Sequence, residues 1–428
     1  MPYRVYVLLV LVLVYTFNFI DRQIVGILAP PIKADLGLTD TQLGLLGGLA
    51  FALFYTGLGI PIARLADRYS RVWIMTAALA LWSGFTAACG FAQSYAQLFL
   101  ARIGVGVGEA GGVAPAYSLV ADYFPPEQRA RALGVYSFGI PIGSALGLFF
   151  GGLIASYVDW RTAFIVVGLA GLAVAPLFRA TVREPPRGGY DPPAAQKSTP
   201  PLSDVLRTLA RKPSFWGISL GASCSSIMGY GLFFWLPSFF VRSHGLSLMQ
   251  VSIFYGSITL IGGIVGIWLG GWLADRYGAR SRASYALVPA FAFIAALPFL
   301  IVGTVSSSVE LSFGMFLALA ALNLAWLGPV ICAVQHLVAP SMRATASAIF
   351  LFVNNLIGLG AGTAIPGALS DALAERFGAE SLRYSILCGS GFYLLAAGLL
   401  ILSARRLGRD WHGAEDRLPP SGIRLPAG

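Results

Sequence analysis

Four charged side chains stand inside long apolar runs: Asp21 and Arg22 in one, Arg102 and Glu109 in another. Charges in hydrocarbon are costly and rare, and they commonly mark ion paths, proton relays or ligand sites. Two carboxyls beside two guanidiniums supply groups that take up protons and groups that hold an anion. Seven residues make almost two helical turns, so Arg102 and Glu109 share a helix face about 10 Å apart. With the first run rising through a membrane and the later one descending, Asp21 lies about 24 Å up from Val5 and Arg102 about 10 Å below the opposite side. Asp21 and Arg22 are then level with Arg102. An Asp21–Arg102 pair leaves Arg22 and Glu109 to face a cavity. A structural reading, in which the four charges neutralise one another to fix helix packing, stays open.

Hydrophobic residues make up 57% of the 428 positions and charged residues 11%. That balance is foreign to a soluble chain of this length. The apolar runs are about 20 residues long, enough to cross a bilayer as helix. Lipid offers no hydrogen-bond partners, so the alternatives are helices or a closed barrel, and the two-residue alternation of barrel strands is absent. Helices are expected near 5–29, 42–66, 72–92, 96–120, 131–156 and 161–180, then near 213–240, 248–274, 283–303, 310–335, 343–368 and 383–404. The fold class is all-α and membrane-embedded, with twelve spans in two six-helix repeats. The chain divides into bundles at 1–182 and 213–405, a polar linker at 183–212 and a tail at 406–428. Leu202 to Ala210, at the end of the linker, has apolar residues at helical spacing and suits a short helix on the membrane surface. The run from Val5 to Val14 continues into a span without a small-residue cleavage site, so it reads as the first helix.

The division into halves rests on repetition. Leu65-Ala66-Asp67-Arg68-Tyr69 returns almost half a chain length later as Leu273-Ala274-Asp275-Arg276-Tyr277. Pro125-Pro126-Glu127-Gln128-Arg129-Ala130 is echoed in the same order by Pro340-Ser341-Met342-Arg343-Ala344. Ordered echoes indicate duplication.

The net charge of +10 does not point to nucleic acid. Arg64, Arg68 and Arg71, then Arg129 and Arg131, then Arg276, Arg280 and Arg282 fall on one side once the helices are threaded. Asp35, Asp40, Asp159, Glu310, Asp371, Glu375 and Glu380 fall on the other. This positive-inside bias places both termini in the cytoplasm. Cys89, Cys224, Cys332 and Cys388 lie on different runs, and His244, His336 and His412 are scattered, so no metal site is expected.

Glycines four apart share a helix face and let backbones approach. Gly104, Gly108 and Gly112 do this on the fourth helix, Gly139, Gly143, Gly147 and Gly151 on the fifth, and Gly262, Gly266 and Gly270 on the eighth. The fifth and eighth helices are therefore expected to form the seam between halves. Gly106-Val-Gly108-Glu-Ala-Gly111 matches a dinucleotide fingerprint but lies inside a membrane helix, not in a βαβ unit. No phosphate-binding G-x-x-x-x-G-K-[ST] loop exists to support ATP-driven pumping. The second half offers Tyr230, Trp235, Asn323, Trp326, Asn354 and Asn355 in place of buried charge.

The duplicated loops resemble the Gly-x-x-x-Asp-Arg-x-Gly-Arg signature of the major facilitator superfamily. Gly271, Asp275, Arg276 and Gly278 carry it in the second copy, with Arg280 displaced by one. The first copy keeps Asp67, Arg68 and Arg71 but has Ala63 and Ser70 in place of glycine. Within that superfamily the first half is similar to the spinster group, through Asn18-Phe-Ile-Asp21-Arg22, the run Leu36-Gly-Leu-Thr-Asp-Thr-Gln-Leu-Gly, Phe51-Ala-Leu-Phe-Tyr55 and the acidic Glu109. Animal members of the group are associated with export of lysolipids and sphingosine phosphate, and bacterial members are treated as proton-coupled carriers.

The resemblance implies two six-helix bundles with alternating access. The expected activity is proton-coupled transport of an amphiphilic or lipid-like organic anion. A broad-specificity drug or organic-anion antiporter is the alternative; a membrane sensor lacks an output domain, and a channel lacks a filter. An enzyme is not indicated. Glu109 and Asp21 are the candidates for proton coupling. Arg22, Arg102, Asn18, Tyr230, Trp235, Asn323, Trp326 and Asn354 are the candidates for substrate binding. Asp67, Arg68, Arg71, Arg129, Asp275, Arg276 and Arg343 are the candidates for gating, with Asp67 ending the second helix near the start of the eleventh at Arg343. The expected partners are the bilayer, a small amphiphile and protons, with no cofactor, no nucleic acid, and a monomeric assembly.

Overall fold

Gly37 ends the first long helix in the left-handed region, at φ +63°, where a side chain would be strained. Two residues later Thr39 opens the next helix through a capping box with Gln42. The same device recurs at the corresponding point of the second half. Gly245, at φ +65°, ends one helix, and Ser247 and Gln250 cap the next. Gly-Leu-[Thr/Ser]-x-x-Gln is thus a third internal echo, at the same spacing as the two aspartate loops.

These helices belong to a computed structural model that describes residues 2–187, 201–278, 281–339 and 342–411, the side chains at 126, 127, 130, 274, 275 and 344 apart. The Asp275 side chain, Arg280, residues 188–200 of the linker and the tail beyond 411 therefore lie outside the described residues. The described residues form helices and connecting turns, with no strand among them.

Among the described residues the helices group into twelve spans: Tyr3–Leu36, Asp40–Arg68, Arg71–Cys89, 95–123, Arg131–Tyr157 and Trp160–Thr181, then Pro213–His244, Leu248–Gly278, Ser284–Val305, Val309–His336, Arg343–Phe377 and Ser381–Asp410. Several run longer than the apolar pattern alone indicates; the twelfth continues to Asp410 through Arg405 and Arg406. The fourth span is interrupted between Glu109 and Val113, and the tenth between Leu324 and Leu327. Pro115 and Pro329 each sit third in the resumed helix, where a missing N–H costs least. Residue 2, Glu184 and Trp411 lie on one side of the bundle, called here the near side. Gly37, Asp40, Arg242 and Glu380 lie on the far side.

Without a hydrophobic drive between helices in lipid, close approach of backbones carries much of the packing. A Cβ on Gly143 would stand 2.3 Å from the Thr16 carbonyl, and one on Gly147 2.8 Å from that of Ile20. A Cβ on Gly266 or Gly270 would stand 2.3 or 2.2 Å from the carbonyls of Ala321 and Ala325. The glycine stripes therefore bury against the first and tenth spans, inside their own halves. The stripes themselves do not face the seam, which the fifth and eighth spans form as expected. The fifth and eighth spans do meet across it, but through Gly152 on Ser252, Ala145 on Gly256, and Pro141 on Gly263. A four-residue stripe reports that one face packs closely, not which neighbour it meets.

The seam continues between the first and seventh spans, where Gly26 lies on Phe234, and between the second and eleventh, where Gly44 and Gly48 lie on Thr363. The Leu202–Ala210 helix exists and buries Val205 and Leu209 among residues of the second half.

Candidate functional site

Residue 22 leaves the first span about 100° around the axis from residue 21, so the two charges cannot share a direction. Arg22 turns toward the fourth span and donates its Nε–H to Glu109 Oε2 at 2.8 Å. Glu109 is fully buried, at the last residue before the break in that span. Three rings stack around the guanidinium: Tyr55 at 4.5 Å, Phe51 at 4.9 Å and Phe19 at 5.0 Å from Arg22 Cζ. Each face of a guanidinium is attracted by ring π-density, and the effect grows when water is excluded.

Asp21 points the other way, into the interior of the first bundle. Arg102 reaches its level, as the depth estimate requires, but meets the Asp21 backbone carbonyl at a long 3.5 Å. The Asp21–Arg102 carboxylate pair is therefore replaced by Arg22–Glu109. Helix rise fixes depth well, whereas the direction of a side chain around the axis decides its partner. Asp21 Oδ1, Arg22 Nη2, Arg102 Nε, Glu109 Oε1 and both amide atoms of Asn18 are buried with no hydrogen-bond partner among the described residues.

Below this pair, toward the near side, tyrosines cluster. Tyr15 and Tyr136 stack at 4.3 Å, and Tyr117 meets Tyr136 edge-on at 5.7 Å. Tyr117 is 43% exposed while Tyr136 is buried, so the cluster has one open edge. Tyr230 packs against this core from the second half, and its hydroxyl donates to Asn355 Oδ1 at 3.4 Å. Tyr15, Tyr117 and Tyr136 were not singled out by sequence, because isolated aromatics in apolar runs carry no signal of their own.

Of the other second-half candidates, Asn323 lines a small cavity with Leu232, Phe233, Tyr255 and Leu324. Trp235 is fully buried and donates to the Thr363 carbonyl at 2.8 Å. Asn323 accepts from Tyr393, and Asn354 accepts from Ser226. Trp326 is buried against Phe350. Trp235, Asn323 and Asn354 thus each have a hydrogen-bond partner inside the second half.

On the far side a polar cluster ties the halves together. Asp40, 2% exposed, accepts from Arg242 Nη1 and Nη2 at 2.6 and 2.5 Å, from Lys33 at 2.6 Å and from Ser370 at 2.8 Å. Asp371 on the eleventh span accepts from the Asp40 and Thr41 backbone N–H groups and the Thr41 hydroxyl. A carboxylate there satisfies the free donors of the second helix's first turn. Asp40 and Asp371 had been read only as acids of one side. Among the described residues, every hydrogen bond and ion pair between the halves lies in this far half of the molecule.

The near-side candidates behave differently from one another. Arg71 is buried and forms ion pairs with Asp122 and with Glu184, the latter at 2.7 Å. Glu184 also accepts from Ser70 and from the Val72 N–H, capping the third span. Burial opposes charge on the Glu184 carboxyl, but the bonds from Val72 N–H, Arg71 and Ser70 outweigh it and hold the group below its ordinary range. Arg187 donates to the carbonyls of Ala66, Asp67 and Tyr69, capping the second span. Arg71 thus serves the first bundle internally. Asp67, Arg68 and Arg276 are exposed. Arg129 donates to the Phe124 carbonyl, and Arg343 Nε is buried without a partner among the described residues.

A two-halved twelve-span bundle with a charged pair at its centre is the architecture of a membrane carrier. Residues 11–363 match the profile of the Major Facilitator Superfamily, and the chain belongs to that family. It is 37% identical over 94% of its length to an MFS-type efflux pump of Mycolicibacterium smegmatis, covering 92% of that protein. It is 32% identical over 86% of its length to protein spinster homolog 1 of Homo sapiens, covering 74% of that protein. It also superposes, with a TM-score of 0.86 and 34% identity, on the crystal structure of a bacterial homolog to the human lysosomal transporter spinster in an inward-facing and unoccupied conformation; the match covers 96% of this chain and 99% of that one. The chain is a multi-pass membrane transporter of small substrates, related to spinster proteins and to efflux pumps, and not an enzyme.

Proposed function

We propose that this transporter is proton-coupled and carries an amphiphilic or lipid-like organic anion by alternating access. The Arg22–Glu109 ion pair carries the reading. An anion entering the site and the Glu109 carboxylate want the same guanidinium. Protonation of Glu109 removes the competitor and leaves Arg22 to the anion, so proton and substrate load together. The tyrosines beneath offer ring faces to an apolar body and hydroxyls to a polar linkage. Arg102 holds the first and fourth spans in register, and Asn18 lies beside the pair.

In this reading 1–182 and 213–405 are the moving bundles, 183–212 the linker and 406–428 the tail. Both termini are cytoplasmic and the membrane is the bacterial inner membrane, which makes the near side cytoplasmic and the conformation inward-open. Closing it brings Asp67, with Arg68 and Arg129 about it, toward Arg343 at the start of the eleventh span, and Asp275 and Arg276 form the symmetric counterpart. Arg343 Nε, buried with no hydrogen-bond partner among the described residues, supports that assignment. Superfamily carriers place their sites between such halves.

The relative that is an efflux pump favours a second reading, broad-specificity proton antiport. Purified protein in vesicles, given a panel of lysolipids, organic anions and organic cations with an imposed pH step, separates the two. Anion flux running with the proton supports the proposal; cation flux running against it supports antiport.

A further inference from the structure

Arg22 and Tyr230 hold the same place in the two halves. The interval that separates Gly37 from Gly245 also separates these two residues. One helical turn further on, at the equivalent positions Gly26 and Phe234, the first and seventh spans touch: a Cβ on Gly26 would stand 3.3 Å from Phe234 Cα. The two side chains therefore leave their helices at one depth on either side of the seam, and the guanidinium and the phenol act on each other electrostatically. The fourth and tenth spans match in the same way. The interval between Pro115 and Pro329 also separates Glu109 from Asn323. The second half thus carries a neutral copy of the ion pair, with phenol for guanidinium and amide for carboxylate.

That copy does not close on itself. Asn323 accepts from Tyr393 on the twelfth span. Tyr230 turns to the eleventh span, where its hydroxyl donates to Asn355 Oδ1 at 3.4 Å. A hydrogen bond of that length is weak. Across the seam, Arg22 gives Nε–H to Glu109, with the Tyr55 hydroxyl beside the same guanidinium, and its buried Nη2 has no hydrogen-bond partner among the described residues. Two donors, one unpartnered and one loosely held, thus stand at one level, each on its own half.

We infer that Tyr230 is the second-half contact for the anionic head, with Asn355 as the residue that positions it. This rests on the amphiphilic-anion reading above. A charged oxygen accepts a shorter and stronger bond than an amide carbonyl does, so a head group seated on Arg22 takes the Tyr230 hydroxyl from Asn355. The head then spans the seam, with one oxygen on each half, and draws the near sides of the halves together. When the halves part again, Tyr230 returns to Asn355 and no bare charge is left in the second half. The arrangement selects heads with two or more acceptor oxygens. A carboxylate, a sulfate or a phosphate ester meets that requirement; a cationic head does not.

Equilibrium binding of dodecyl phosphate to the full chain in phosphatidylcholine nanodiscs, net of empty nanodiscs, tests this, with dodecanol as the uncharged control. Tyr230→Phe, which keeps the ring, is expected to weaken binding at least about tenfold, the scale of one hydrogen bond to a charged group. Asn355→Leu is expected to tighten binding about threefold, because the competing acceptor is gone, and to change nothing in the Tyr230→Phe background. A residue that only packs would not tighten binding when replaced. Spin labels on Tyr69→Cys and Arg207→Cys, exposed near-side positions of the two halves, are expected to approach each other when dodecyl phosphate binds the parent and to stay apart when it saturates Tyr230→Phe. Unchanged affinity in Tyr230→Phe, no tightening in Asn355→Leu, tightening that survives in the Tyr230→Phe background, or approach of the labels in Tyr230→Phe would each overturn the inference. Its basis is read separately. Binding that disappears in Arg22→Gln leaves the anion reading standing in any of those cases; parent binding no tighter than that of dodecanol, or binding unaltered in Arg22→Gln, overturns both.

Discussion

Arg242 grips both carboxylate oxygens of Asp40 across the boundary between the two halves, at 2.6 and 2.5 Å, with Asp40 almost fully buried. A bidentate charge-assisted pair of this kind is strong while formed and costly to leave half-made. Alternating access requires it to open. Lys33 and Ser370 satisfy the same carboxylate, and Asp371 caps the same helix start from the opposite half. The far-side closure therefore has one hub.

Asp40→Asn removes the charge that this hub shares. The equilibrium is expected to move toward the far-side-open form by at least about tenfold, or ~1.4 kcal/mol. Single cysteines on the far-side face of the seam, probed with an impermeant thiol reagent, should label faster in the variant. Unchanged labelling rates would remove Asp40 from the gate.

Glu184 gives a pH-dependent prediction. Its carboxyl is held below the ordinary range in the folded chain, so it binds protons more readily when unfolded. Its stabilising contribution is present above the ordinary carboxylate range and fades as pH falls through the depressed folded value. Glu184→Gln should lower the melting temperature at neutral pH, and the gap to the parent should close on acidification. A gap that stays constant with pH would mean that the charge is not what matters.

Gly270 and Gly271 offer an adjacent pair of controls. A Cβ on Gly270 would stand 2.2 Å from the Ala325 carbonyl, whereas nothing lies within 4 Å of one on Gly271. Gly270→Ala is expected to cost about 1–3 kcal/mol by overpacking, and Gly271→Ala to be nearly silent in a thermal-shift assay. Equal effects would disprove the close contact of the eighth and tenth spans.

The orientation is open to labelling. Arg207 and Glu375 are both exposed, on the near and far sides. In a cysteine-free background, Glu375→Cys should react with an impermeant reagent added outside cells, and Arg207→Cys only after lysis. The reverse pattern would invert the threading.

Much of the scaffold was legible in the sequence. Twenty-residue apolar runs must be helical in lipid, and repeated loops mark the halves, so span number and order follow from hydrophobicity alone. The levels of Asp21, Arg22 and Arg102 were legible too, because helix rise converts residue number to depth. Partners were not. Which way Asp21 and Arg22 turn depends on the neighbours each helix acquires, and Glu109 won Arg22 where Asp21–Arg102 had been the expected pair. The hydrogen bonds of Trp235, Asn323 and Asn354 were not legible for a related reason, since a polar or aromatic residue in a membrane helix finds a partner on an adjacent helix as readily as it faces a cavity. The far-side hub had a partial signal: the Gly37–Gln42 motif returns at Gly245, and Asp40 stands where the second copy has Leu248. Glu184 and Arg187 had none, as charges after a span look like ordinary linker.

The most direct test of the central claim is flux through Glu109→Gln in reconstituted vesicles, with the lysolipid and organic-anion panel, with and without a pH step. Glutamine keeps the shape but can neither take up a proton nor hold Arg22 by charge. The account predicts that pH-driven uptake is lost while exchange without a gradient persists. Full pH-driven uptake in Glu109→Gln would contradict it.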